Sequence, residues 1–182
     1  PNGGTATNAP PALNTISAEA LLETSLPPSR FLVDELIPSG LTLLAGQPKL
    51  GKSTFALQLA VSVATGTRFL SAEAAQGRVL FAALEDSKQT LQSRLEAIAG
   101  DAESLPIDIV SKVVRLGEGL VQQLRDWISR HPDAKLIVLD PLALVIPDGA
   151  RVNRYEDMIA ALRPLHELSR ETGVDIALLY HA

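Results

Sequence analysis

Gly46-Gln47-Pro48-Lys49-Leu50-Gly51-Lys52-Ser53-Thr54 is the stretch that decides the fold. It satisfies G-x-x-x-x-G-K-[ST], the pattern of a phosphate-binding loop. The flanks agree with it. Leu41-Thr42-Leu43-Leu44-Ala45 reads as a short buried strand leading in, and Phe55 to Ala64 as a helix leading out. Strand, glycine loop and helix together aim backbone N–H groups and a helix N-terminus at one anion. Gly46 and Gly51 let the backbone curl with no side chain in the way. Lys52 is the point charge for the β- and γ-phosphates, and the Ser53 hydroxyl is a magnesium ligand. Thr54 continues into the helix. Lys49 either adds charge near the phosphates or faces solvent. The expected ligand of Gly46 to Thr54 is a nucleoside triphosphate with magnesium.

Outward from the loop, apolar runs alternate with helical stripes. Arg78-Val79-Leu80-Phe81-Ala82-Ala83-Leu84 is a nearly continuous apolar run ending at Glu85-Asp86-Ser87, as expected of a strand buried on both faces. Asp86 or Ser87 can cap the next helix, which carries Leu91, Leu95 and Ile98 and stops near Gly100. Ile107 to Val110 is a weaker strand. Leu120, Leu124, Trp127 and Ile128 mark a further helix, ended by His131-Pro132. Leu136-Ile137-Val138-Leu139 is a buried strand closing at Asp140-Pro141, and the loop Pro147 to Arg154 follows. Met158 to Arg170 reads as helical despite Pro164, and Val174 to Tyr180 as the last strand. The expected fold class is α/β, a mostly parallel twisted sheet covered by helices on both faces. In such folds ligands bind at the carboxyl ends of the strands. The loop, Glu85, Asp140 and His181 all fall there.

The N-terminal region reads differently. Pro1 to Asn14 is rich in Pro, Gly, Ala, Asn and Thr, the composition of a flexible arm. Ser17 caps a short helix over Ala18 to Thr24, and Pro27-Pro28 enforces extended structure. The division is therefore an arm over residues 1–28 and a core over 29–182.

Composition narrows the function classes. The chain has 182 residues, enough for one domain with a substantial core. Its net charge of −5 argues against a generally basic surface that coats nucleic acid. With no cysteine, a disulfide frame and a thiolate metal site are excluded. No apolar run approaches the ~20 residues that span a bilayer. Pro1 stands where Met would, and no signal peptide is visible. The expectation is a trimmed chain that works in the cytoplasm, away from membranes.

The remaining site residues follow from position. Asp140 closes four apolar residues in the Walker B manner and would hold magnesium; taken alone, it reads equally as a helix cap. Pro141 follows it, so the base that activates water must come from elsewhere. Glu85 is the candidate, a carboxylate able to orient water for in-line attack. His181 would report on the γ-phosphate by a hydrogen bond, or is a surface histidine. His131 reads as a helix-terminal cation, and His166 as a surface or boundary residue.

These segments resemble RecA-like ATPases of the plasmid and mobile-element replicative helicase type. The P-loop strand Leu41 to Ser53, the strand Arg78 to Asp86, Leu136 to Pro141 and the final Tyr180-His181 occur in that family's order. The resemblance covers roughly Phe31 to the end. It implies ATP hydrolysis with Mg2+, Glu85 as the catalytic base that activates water, and a RecA-like core assembled into a homo-oligomeric ring, often a hexamer. It also implies a finger residue from a neighbouring subunit, single-stranded DNA as partner, and energy spent on DNA unwinding or remodelling in replication. Adenine as the base rests on the resemblance. Tyr180 stands where the family has the first of two adjacent histidines. The chain stops at Ala182, where the family continues, so a fragment is expected. Two other readings stay open: a slow nucleotide-dependent switch, and a small-molecule kinase using Arg151 and Arg154 as a lid.

Overall fold

The computed structural model describes residues 13–26, 28–147, 149 and 155–181, and the backbone alone of Tyr155 and His181. The expectations for the arm before residue 13, for Pro27 and for Arg151 and Arg154 lie outside the described residues.

Helix α1, Ala18–Glu23, is capped by Ser17, whose Oγ accepts from Ala20 N at 3.1 Å. It buries no residue. Strands β1 (Phe31–Val33) and β2 (Ile37–Pro38) form an antiparallel ribbon. Then come β3 (Leu41–Gly46), α2 (Lys52–Thr65), the short antiparallel strands β4 (Arg68–Phe69) and β5 (Ala72–Glu73), β6 (Arg78–Ala83) and α3 (Lys88–Ala99). The remainder is β7 (Ile107–Val110), α4 (Leu120–Arg130), β8 (Ala134–Asp140), a 3-10 turn at Leu142–Leu144, α5 (Tyr155–Thr172) and β9 (Asp175–His181).

The main sheet has five strands in the order β3-β9-β8-β6-β7, with every pairing parallel. The run of apolar residues in its central strands has a direct cause: both faces are covered. Val79, Phe81, Leu136, Val138, Ala177 and Leu179 point to one face and pack under Leu57, Ala60 and Val63 of α2 and Leu91 of α3. Leu80, Ala82, Ile137, Leu139, Ile176 and Leu178 point to the other, under Leu120, Leu124 and Trp127 of α4 and Leu162, Leu165 and Leu168 of α5. Alternate residues along each strand thus serve opposite layers.

Three expectations about elements are corrected. Helix α2 begins at Lys52 rather than Phe55, because the glycine at position 51 takes a left-handed φ of 80° and turns the chain directly into the helix. Strand β6 stops at Ala83, so Leu84 lies beyond it and Glu85 is not its last residue. The β4–β5 ribbon was not expected; its strands are two residues each, too short for a periodic signal. Helix α5 runs through Pro164 as expected.

Candidate active site

Parallel pairing puts all five carboxyl ends on one edge of the sheet. There β3 ends at Gly46 and passes into the loop. No side chain caps α2 at Gly51, so the positive end of the helix is open to an anion. Lys52 opens α2 and is 8% exposed. Its Nζ donates to the carbonyl oxygens of Gly46 and Gln47, each at 2.7 Å. Two of the three ammonium donors therefore hold the loop's own backbone, which fixes the charge at the loop's centre. Ser53 and Thr54 follow on α2, half-buried, while Gln47, Pro48, Lys49 and Leu50 are exposed. Lys49 carries a φ of 66°, which costs a residue with a Cβ about 1–2 kcal/mol.

Asp140 ends β8 and is 7% exposed. Its register partner on β6 is Ala83, and its carbonyl accepts from Leu84 N at 2.9 Å. This bond locks the exits of the two strands together. Glu85 follows one residue later, with an exposed side chain. Asp86 pairs with Arg94 of α3, which leaves Ser87 as the cap of that helix, accepting from Thr90 N at 3.1 Å. His181 ends β9 opposite Gly46. At about 4.8 Å per strand, two spacings put the β8 exit roughly 10 Å from the P-loop strand. Three put the β6 exit, with Glu85 just beyond it, roughly 14 Å away. The edge thus brings the loop, His181, Asp140 and Glu85 together in that lateral order. Of the other histidines, His131 caps the end of α4 with Nδ1 2.8 Å from Trp127 O, and His166 is exposed on α5.

The donor set suits magnesium. Ser53 offers a hydroxyl and Asp140 a carboxylate, both hard oxygen ligands, and Mg2+ is ordinarily held by one or two protein oxygens together with substrate phosphates. No group of three or more His, Cys, Asp or Glu side chains able to hold a metal occurs among the described residues.

Two residues near the strand ends carried no signal in the sequence. Arg115, between β7 and α4, donates from Nη1 to Ala143 O at 3.3 Å and to Ile146 O at 2.9 Å. At the opposite edge of the sheet Asp175 is buried; its Oδ1 accepts from Gly40 N at 2.6 Å, in the turn that feeds β3. Burial raises the Asp175 carboxyl above its ordinary value of 3.8, against the Gly40 hydrogen bond and the nearby charges of Lys135 and Arg30, which lower it. Both contacts join residues distant in sequence, which is why no local pattern exposes them.

A parallel sheet with a glycine loop between its edge strand and a flanking helix, and an acid ending the strand two places along, defines a P-loop α/β domain. The chain belongs to the AAA domain family, which matches residues 7–182. Its fold is that of the ATPase domains of replicative helicases. It resembles a solved structure described as the ATPase domain of G40P, with a TM-score of 0.56 and 19% identity over 79% of this chain and 57% of that one. It also resembles a DnaB-like replicative helicase solved with regard to its interactions with primase, with a TM-score of 0.58 and 19% identity over 78% of this chain and 38% of that one. The chain thus spans less than two thirds of the length of either structure. No curated protein matches it. No helix among the described residues is long and apolar enough to cross a membrane.

Proposed function

We propose that this domain binds and hydrolyses Mg-ATP, and that as part of a homo-oligomeric ring it couples hydrolysis to movement along, or remodelling of, single-stranded DNA in the cytoplasm. The observation that carries the reading is Lys52, buried and held by the carbonyls of Gly46 and Gln47 at the mouth of an uncapped helix, on the sheet edge where Asp140 also ends its strand. Backbone N–H groups of Gln47 and of residues 49–54 would take the phosphate oxygens, with Lys52 offsetting their charge. Ser53 and Asp140 would hold magnesium, which when bound neutralises charge developing on the transferred phosphoryl group. Glu85 would orient the attacking water, and its exposed place beyond β6 lets the side chain swing toward the γ-phosphate. His181, beside Gly46 at the end of β9, would sense whether that phosphate is present. The arm before residue 29 and the core from 29 onward would be separate units, because α1 buries nothing.

The test is phosphate release from Mg-ATP with and without single-stranded DNA, for the parent and Glu85→Gln. The expected result is DNA-stimulated release that Glu85→Gln lowers by about 10²–10⁴-fold, the range of a general base, while ATP still binds. Transfer of phosphate to a metabolite would replace the motor with a kinase. Tight binding with no turnover in either protein would replace it with a nucleotide switch.

A further inference from the structure

The segment leaving Asp140 is held from outside. Leu142 and Val145 are fully buried and Ile146 is 6% exposed, so their side chains are fixed in the layer under α4 and α5. The backbone is a different matter. A 3-10 turn of three residues leaves carbonyls at its end with no partner of their own. Arg115 supplies it. One Nη1, with two N–H groups, reaches Ala143 O at 3.3 Å and Ile146 O at 2.9 Å. The next amide, Leu116 N, donates to Val145 O at 2.7 Å.

Arg115 is itself anchored. Its carbonyl accepts from Glu118 N at 3.0 Å and Leu120 N at 3.4 Å, tying it to the start of α4. The Asp140 exit is therefore fixed on two sides: by the Leu84 N bond to Asp140 O on the β6 side, and by the Arg115 clamp two residues beyond Pro141.

We propose that Arg115 is a positioning residue for Asp140: by clamping the Leu142–Ile146 turn to the start of α4, it holds the strand exit in the conformation from which the Asp140 carboxylate meets magnesium. Groups that orient a metal ligand without touching the metal change metal affinity or activity about 10–100-fold when removed. A turn released from its clamp must be ordered again each time the metal binds, and that ordering is subtracted from affinity. A lysine falls short of the clamp, because its ammonium lies one bond nearer the backbone than Arg115 Nη1, the atom that makes both contacts.

This inference rests on the magnesium role proposed for Asp140. The experiment measures binding rather than turnover. A fluorescent ATP analogue is titrated into the parent, Arg115→Met and Arg115→Lys across a magnesium series and in EDTA. Mn2+ bound in the nucleotide complex is measured in parallel by electron paramagnetic resonance. Thermal melts identify a temperature at which all three proteins are folded. The expected result is an Mg2+ midpoint raised about tenfold in both variants, weaker Mn2+ binding, and unchanged affinity for the analogue in EDTA. Added guanidinium at low millimolar concentration should restore the Arg115→Met midpoint. If the variants melt lower but keep the parental midpoint, Arg115 is structural only and the inference is overturned. Equal loss of affinity with and without magnesium also overturns it. A parent whose analogue binding ignores magnesium removes the reading of Asp140 instead, a distinguishable failure.

Discussion

Two side chains bear strain or burial that the fold tolerates. Lys49 holds a φ of 66° in the loop between β3 and α2, a conformation glycine adopts freely. Replacing it removes a Cβ penalty of about 1–2 kcal/mol and adds roughly 0.4–1 kcal/mol of chain entropy to the unfolded state. Lys49→Gly should therefore raise stability by about 0.5–1 kcal/mol, read from urea unfolding without nucleotide. A loss of stability would mean that the lysine makes a contact that outweighs the strain. Asp175 shows the other kind of cost. Its Oδ2 is buried, and Lys135 Nζ stands 3.9 Å away. Because burial raises its carboxyl in the folded chain, the folded state binds a proton more tightly than the unfolded one. The contribution of this group to stability is thus largest in acid and falls as pH rises from 3.8 through the raised value. Asp175→Asn keeps an acceptor for Gly40 N and cannot ionise. Its stability relative to the parent should rise with pH across that window. A difference independent of pH between 4 and 7 would remove the titration of Asp175 from the account.

At the scale of elements, the passage from Gly77 into β6 is controlled by space. A Cβ at Gly77 would lie 2.5 Å from Lys135 Cβ and 2.7 Å from Asp133 O, at the start of β8. The register between β6 and β8 shifts at Arg78, where the two strands begin to pair. Gly77→Ala must push these strand entrances apart, and overpacking of this kind costs about 1–3 kcal/mol. Equilibrium unfolding would show it, and a cost below about 0.5 kcal/mol would mean that the entrance is compliant. The same region shows what sequence makes visible. The strands of the main sheet were readable because Val79 to Ala83 and Leu136 to Leu139 are buried on both faces and so lack polar alternation. The loop between β3 and α2 was readable as a loop because its glycines, lysine and serine have fixed spacing. Helix caps were ambiguous: Asp86 and Ser87 both qualified, and only the Asp86–Arg94 ion pair decides in favour of Ser87. Gly77, Arg115 and Asp175 were silent, because what constrains each is a neighbour from another part of the chain.

The centre of the molecule is one five-stranded parallel sheet between two helical layers, and the sheet keeps those layers apart. Leu57 belongs to the α2–α3 side and Ile176 to the α4–α5 side, in clusters that share no residue. Both are essentially fully buried. Leu57→Ala should cost about 2–5 kcal/mol and Ile176→Val about 0.5–1.5 kcal/mol. With no common partner, their effects should sum to within about 0.3–0.5 kcal/mol in the double variant. The layers nevertheless share β6, β8 and β9, whose residues alternate between them, so neither layer can lose its packing without exposing the back of the other. Unfolding should remain a single transition with an unchanged denaturant slope. An additive pair with the parental slope would establish that the sheet transmits cooperativity while insulating side-chain packing. A reduced slope or a second transition in Leu57→Ala would mean that the α2–α3 layer, which includes the helix behind Lys52, opens apart from the rest.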